Sequence, residues 1–151
     1  MNTDTLLAKY VLGLLPVEAL PGMALDAIQA GYDSPSLRQL AGANEHDTEE
    51  AHRLFGKAIQ ELGLPIPQAP EAGLTLARDI ARLVVSGAIA PYEGAKRIWN
   101  QIYTRLSELK QLKPFVGLAS EYEDDLDHRD DYSRQIIEEA KSLIDQGANG
   151  K

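Results

Sequence analysis

The chain has 151 residues, enough for one domain with a sizeable core, and no cysteine, which excludes disulfides, zinc–thiolate and iron–sulfur sites and thiol catalysis. Its 23 acids against 15 lysines and arginines give a net charge of −8, which opposes phosphate backbones and favours a basic partner over nucleic acid. No stretch approaches the roughly 18 uninterrupted apolar residues of a membrane span, so the chain reads as soluble and cytoplasmic.

The opening MNTDTLLAKYVLGLLPVEAL is apolar, but Asp4 precedes the run, Lys9 sits inside it, and Pro16 and Glu18 interrupt it. With no small-residue cleavage pattern, it does not read as a signal peptide. Helices are predicted over residues 5–14, 23–30 and 35–41, with Gly31 and Asp33-Ser34-Pro35 as stop and start between the last two. The clearest helix is DTEEAHRLFGKAIQELGLP. Ala51, Leu54, Phe55, Ala58, Ile59 and Leu62 form one stripe, Asp47 and Glu50 form a capping box, and Gly63 and Pro65 end it.

PIPQAP, residues 65–70, is a proline-rich connector. Beyond it Ala77, Ile80, Leu83 and Val84 share a face, and Gly87 stops that helix. Pro91 opens the next, whose stripe of Ala95, Ile98, Trp99, Ile102, Leu106 and Leu109 predicts a helix over 91–109. A shorter helix starts at Pro114 and carries Phe115 and Leu118. The last holds Tyr132, Ile136, Ala140 and Leu143, and ends at Gly147. The expected architecture is all-α: one domain over 1–151, a helical bundle of about six to eight helices with an irregular amino-terminal third. Its helical subregions, 1–64 and 71–147, are joined by the connector. A strand at 82–86 is the alternative, resting on Leu83-Val84-Val85 alone.

Residues 121–131, EYEDDLDHRDD, hold seven carboxylates, one histidine and one arginine. A calcium loop fails in both registers: from Asp125 the twelfth position is Ile136, and from Asp127 the sixth is Tyr132 rather than glycine. Asp127 suits an N-cap for the final helix, with Asp130 and Asp131 in the first turn, where the dipole favours acids. Glu121, Glu123, Asp124 and Asp125 lie at a helix's carboxy end, where it disfavours them. They need a cation, from a partner or from the run Lys96, Arg97, Arg105, Lys110 and Lys113, which contains the single acid Glu108. The protein's own helix is the favoured source.

Other chemistry finds little support. The Glu49–His52 spacing resembles half of a two-metal bundle motif, but Glu49 lies roughly 150° from the apolar stripe at 100° per residue and so points to solvent. No serine sits in a nucleophile elbow, and Gly87–Lys96 lacks phosphate-loop spacing. Trp99, Tyr92 and Tyr103 lie on or beside one apolar stripe and read as core.

ALDAIQAGYDSPSLRQLAG resembles the first half of the helix-turn-helix of tetracycline-repressor-like regulators, through Ala27, Gly31-Tyr32, Leu37 and Leu40-Ala41. That resemblance implies a base-reading helix directly after Gly42. The chain continues instead as acidic ANEHDTEEAH, and residues 1–60 hold four cations against eight acids. In size, acidity and helical make-up the protein also resembles the small immunity proteins with which bacteria neutralise their own toxins, a likeness of class without a motif. The reading favoured is a non-catalytic acidic interaction module of immunity or antitoxin type. It would bind a basic partner through Glu121, Glu123, Asp124, Asp125, Asp127, Asp130 and Asp131, with no cofactor or metal. The alternatives are a helical enzyme or metal protein whose carboxylates converge with His52 or His128, and a degenerate helix-turn-helix DNA-binding protein. The oligomeric state is not written in the sequence.

Overall fold

A computed structural model describes residues 3–44 and 46–149; the regular elements among them are all helical, with no strand. In chain order the α-helices are α1 (Thr3–Val11), α2 (Leu20–Gln29), α3 (Pro35–Ala41), α4 (Thr48–Glu61), α5 (Ala69–Val85), α6 (Pro91–Arg97), α7 (Lys113–Asp124) and α8 (Arg129–Asn149). Short 3-10 turns at Val17–Ala19, Lys110–Leu112 and Leu126–His128, and a π-helical turn at Ile98–Tyr103, complete the path. The all-α expectation holds, and the strand considered at 82–86 is instead the last turn of α5 with its cap. No helix among the described residues is long and apolar enough to cross a membrane.

Contacts gather into two compact units: Gly13–Ile66, and the stretch up to Leu12 together with the chain from Pro67 onward. In the first unit, extended Ser34 accepts the Leu37 N–H at 3.1 Å and Pro35 takes the first turn, so α3 begins where its sequence provides a cap. Glu61, the last residue of α4, accepts the Ser36 N–H at 2.9 Å and the Ser36 hydroxyl at 2.6 Å. These bonds hold its carboxyl below the usual range. Asp47 caps α4 by accepting the Glu50 N–H at 3.2 Å, but the reciprocal half of the capping box is not made. The Glu50 carboxylate instead forks onto Arg53, with both contacts at 2.8 Å, because a charge-assisted pair outcompetes a neutral N–H. Ala51, Leu54, Phe55, Ala58 and Ile59 are buried as the stripe predicts, while Leu62 is half-buried.

The second unit is built on α5, which packs on α1, α6 and α8. It starts at Ala69, inside the expected connector, because Pro70 falls in the first turn, where a missing N–H leaves nothing unsatisfied. Ala72, Leu76, Ala77, Ile80, Ala81 and Val84 form its buried side, and α1 covers part of it with Leu7 and Ala8. The Thr5 hydroxyl donates to Asp79 at 2.6 Å and fixes the register.

The predicted helix over 91–109 is only partly one. It is α-helical to Arg97, widens into the π-helical turn, and ends at Tyr103. Leu106 and Leu109 are buried all the same, from irregular backbone, with methyl carbons over Gly73. A Cβ at Gly73 would stand 2.5 Å and 3.0 Å from them. Their burial requires a close approach to α5 but no helix, a distinction that apolar spacing cannot express. None of Trp99, Tyr92 and Tyr103 is buried; each is half-buried, so the core reading of these aromatics is too strong.

Gly147 does not end the last helix, since α8 runs to Asn149. It clears space: Arg78 Nε donates to the Leu143 carbonyl at 3.1 Å, and a Cβ at Gly147 would lie 2.5 Å from that nitrogen. Gly94 plays a similar part between α6 and α5, where a Cβ would stand 2.2 Å from Val84. Gly117, within α7, differs, because nothing lies within 4 Å of where its Cβ would be. Gly94→Val is therefore expected to destabilise by about 1–3 kcal/mol through overpacking. Gly117→Ala should stabilise by roughly 0.5–1 kcal/mol through helix propensity. Urea denaturation followed by circular dichroism measures both.

Candidate functional site

The seven acids predicted as a binding surface gather where α7 hands over to α8. Helix α7 begins with Pro114 in its first turn and turns Phe115 and Ala119 inward, which leaves its acidic carboxy end outside. Asp125, with φ −126° and ψ 89°, breaks the helix, and Leu126–His128 forms a 3-10 turn before α8 starts at Arg129. Asp127 is thus part of that turn and does not cap α8; the extra turn displaces the helix start past it. Asp130 and Asp131 fall in the first turn of α8, where the dipole favours them.

Two cations answer the unfavourable end of α7. Lys96 of α6 places Nζ 2.6 Å from a Glu123 oxygen, and the Tyr92 hydroxyl donates to the same oxygen at 2.5 Å. Lys96 and Tyr92 together hold the Glu123 carboxyl below the usual range, and Glu123 in turn raises Lys96. From α8, Arg129 Nε donates to the Tyr122 carbonyl at 2.9 Å, satisfying one of the carbonyls that a helix end leaves unpaired. Its guanidinium lies 4.5 Å from the Tyr122 ring centre, and that ring also stacks on Tyr92 at 4.6 Å, nearly parallel at 13°. Lys96 also sits 4.3 Å from the centre of the Trp99 ring. Tyr92, Tyr122 and Arg129 are the contributors to this joint missed at the sequence level. The available signal for Arg129 was a cation five positions beyond the end of α7, able to reach back to its carbonyls.

Of Lys96, Arg97, Arg105, Lys110 and Lys113, only Lys96 pairs with these acids among the described residues. Arg97 pairs with Glu93 at 2.5 Å within its own helix, and Arg105 donates to the Gln101 carbonyl at 2.7 Å. Lys110 and Lys113 make no ion pair among the described residues.

Half-buried Asp125 is held differently. His128 Nδ1 lies 2.9 Å and 3.0 Å from its two oxygens, and the Tyr132 hydroxyl donates at 2.8 Å, with Glu121 a weaker second acceptor at 3.3 Å. The bonds from His128 and Tyr132 lower the Asp125 carboxyl; the same contact raises His128, and the Asp125 bond pushes the Tyr132 phenol up to about 12. Asp131 pairs with Arg134. Asp124, Asp127 and Asp130 have no side-chain hydrogen bond or ion pair among the described residues, and all three are exposed. Leu126, in their midst, is 67% exposed.

His52 and Glu49 are exposed on α4. Among the described residues no three His, Asp or Glu side chains are grouped as a metal ion would need. Helices α2 and α3 form a two-helix turn through Gly31 at φ 108°. Residues 42–47 then separate α3 from α4, whose first turn carries Glu49 and Glu50.

No protein-family model matches this chain, and no curated protein or solved structure matches it either.

The Asp125–His128 contact links stability to pH at both ends. The lowered Asp125 contributes fully above the ordinary carboxylate value of 3.8 and loses its contribution as pH falls through its lowered value. The raised His128 contributes fully below 6.5 and loses its contribution as pH rises through its raised value. His128→Ala is therefore expected to lower the urea midpoint most between pH 3.8 and 6.5, with the effect fading as pH rises through the raised His128 value. By NMR, the His128 imidazole should titrate above 6.5.

Proposed function

We propose that the protein is a non-catalytic, acidic, all-helical interaction module acting in the cytoplasm, whose α7–α8 joint meets a basic partner protein. One observation carries this reading: Asp124, Asp127 and Asp130, near exposed Leu126 along the chain, are exposed and have no ion pair among the described residues. Exposed carboxylates of this kind steer a basic partner and raise its association rate, and an apolar side chain among them supplies a desolvated anchor. Glu123, Asp125 and Asp131 have internal partners and serve the joint's architecture first. The partner-facing set is thus narrower than the seven acids, with Glu121, Asp124, Asp127 and Asp130 as its charge. The net charge of −8 fits the same reading, as does the likeness of class to toxin-neutralising immunity proteins.

The test compares the native protein with the triple variant Asp124→Asn, Asp127→Asn, Asp130→Asn in co-purification from the source cells. A partner held at roughly 0.05 M salt should be released near 0.5 M, where the screening length shrinks to a few ångströms. The variant should lose it at the lower concentration. A partner whose retention ignores both salt and substitution would overturn the electrostatic reading. A stoichiometric metal in elemental analysis would redirect attention to a carboxylate–histidine site.

A further inference from the structure

Helices α7 and α8 border a groove of about 690 Å³ that the joint leads into. On α7 it is lined by Pro114, Gly117, Leu118 and Glu121, at positions i, i+3, i+4 and i+7 of one helical face. That face is distinct from the one carrying Phe115 and Ala119 into the core. It has the spacing of a helix-packing surface, yet Pro114 and Gly117 are exposed and Leu118 half-buried. Gly117 makes the contrast sharper. At Gly73, Gly94 and Gly147 a Cβ would strike a neighbouring side chain, whereas at Gly117 it would meet nothing within 4 Å. The glycine therefore leaves a backbone-deep notch in the floor that no neighbour within the fold demands.

The α8 wall adds charge. Asp131, Glu138 and Glu139 line it with Arg134, so that with Glu121 four acids face one cation, and that cation is taken by Asp131. Lys141 reaches Glu138 from outside the lining at 3.5 Å, while Glu121 and Glu139 have no ion pair among the described residues. From Pro114 to Glu121 the floor is roughly 10 Å long at 1.5 Å per residue, about two helical turns.

We propose that this groove seats an amphipathic helix of a basic partner protein. The helix's apolar side chains at i, i+3 or i+4, and i+7 lie over Gly117 and Leu118, and its lysines or arginines meet the acids of the two rims. The inference rests on the proposed role as an acidic interaction module and names the shape that the partner offers. A second copy of this chain is the poorer occupant, since two bodies of net charge −8 repel.

The probe is a synthetic peptide of about 15 residues, leucine at helical spacing and lysine elsewhere, against a scramble of the same composition. The ordered peptide is expected to bind at least about tenfold more tightly by calorimetry, with amide shifts centred on Gly117, Leu118 and Gln135. Gly117→Trp, its fold checked by circular dichroism, should bring the ordered peptide to the level of the scramble and leave the scramble's affinity unchanged. Equal binding of the two peptides, or shifts centred on Asp124, Leu126 and Asp127, would overturn the groove while leaving the acidic joint as a binding surface. Failure of both peptides to bind at low salt would sink the groove and the interaction-module reading together. A dimer in light scattering that Gly117→Trp converts to monomer would assign the groove to a second copy and overturn the proposal.

Discussion

A helix end leaves carbonyls unpaired and a partial negative charge exposed, and α7 adds Glu121, Glu123 and Asp124 at that place. Such an end is favoured by cations close by, and the two that arrive come from different helices. Lys96 approaches from α6 and Arg129 from α8. Each brings an aromatic contact with it, Lys96 over Trp99 and Arg129 over Tyr122. The Tyr92–Tyr122 stack spans the interval between α6 and α7, so three helices are tied where the chain's electrostatics are hardest to satisfy. Exposed ion pairs contribute little singly, about 0–1 kcal/mol each. A shared cluster fixes geometry more than it adds stability, and its effect here is to decide which acids stay internal and which face outward.

That division gives the functional reading its content. A run of seven carboxylates looks uniform along the chain, but in the fold it separates into acids with partners and acids without. Glu123 and Asp125 are bonded to Lys96, His128 and tyrosine hydroxyls, whereas Asp124, Asp127 and Asp130 are exposed and make no side-chain bond among the described residues. Leu126, in the 3-10 turn beside Asp127, is largely uncovered.

Much of the fold was legible where local chemistry decides structure. Ser34-Pro35 capped a helix over Pro35–Ala41, and the stripe from Ala51 to Ile59 is buried. The misreadings share a cause: residues whose role is set by a distant neighbour. Gly147 looks like a stop but serves Arg78, and Leu106 and Leu109 continue a helical spacing on backbone that has left the helix to cover Gly73. Asp127 has the chemistry of a cap but sits in an added 3-10 turn. At the joint, the need for an internal cation could be reasoned from the dipole alone, and Lys96 was among those named. Arg129, five positions past the end of α7, lay within reach of the same reasoning, whereas the tyrosine stack did not, because it depends on how the helices meet.

The pairing of α1 with α5 has a consequence for how the chain is made. Thr5 and Asp79 are hydrogen-bonded across 74 positions, and the Gly13–Ile66 unit lies wholly between them in sequence. At about 5–20 residues per second, synthesis takes several seconds to pass from one partner to the other. Throughout that interval Leu7 and Ala8 have no surface of their own unit to cover. The intervening unit therefore has the opportunity to fold first, as an insertion completed before its host. Docking of α1 is then a late closure across a long loop, and its entropic cost grows only slowly with the length of what was inserted.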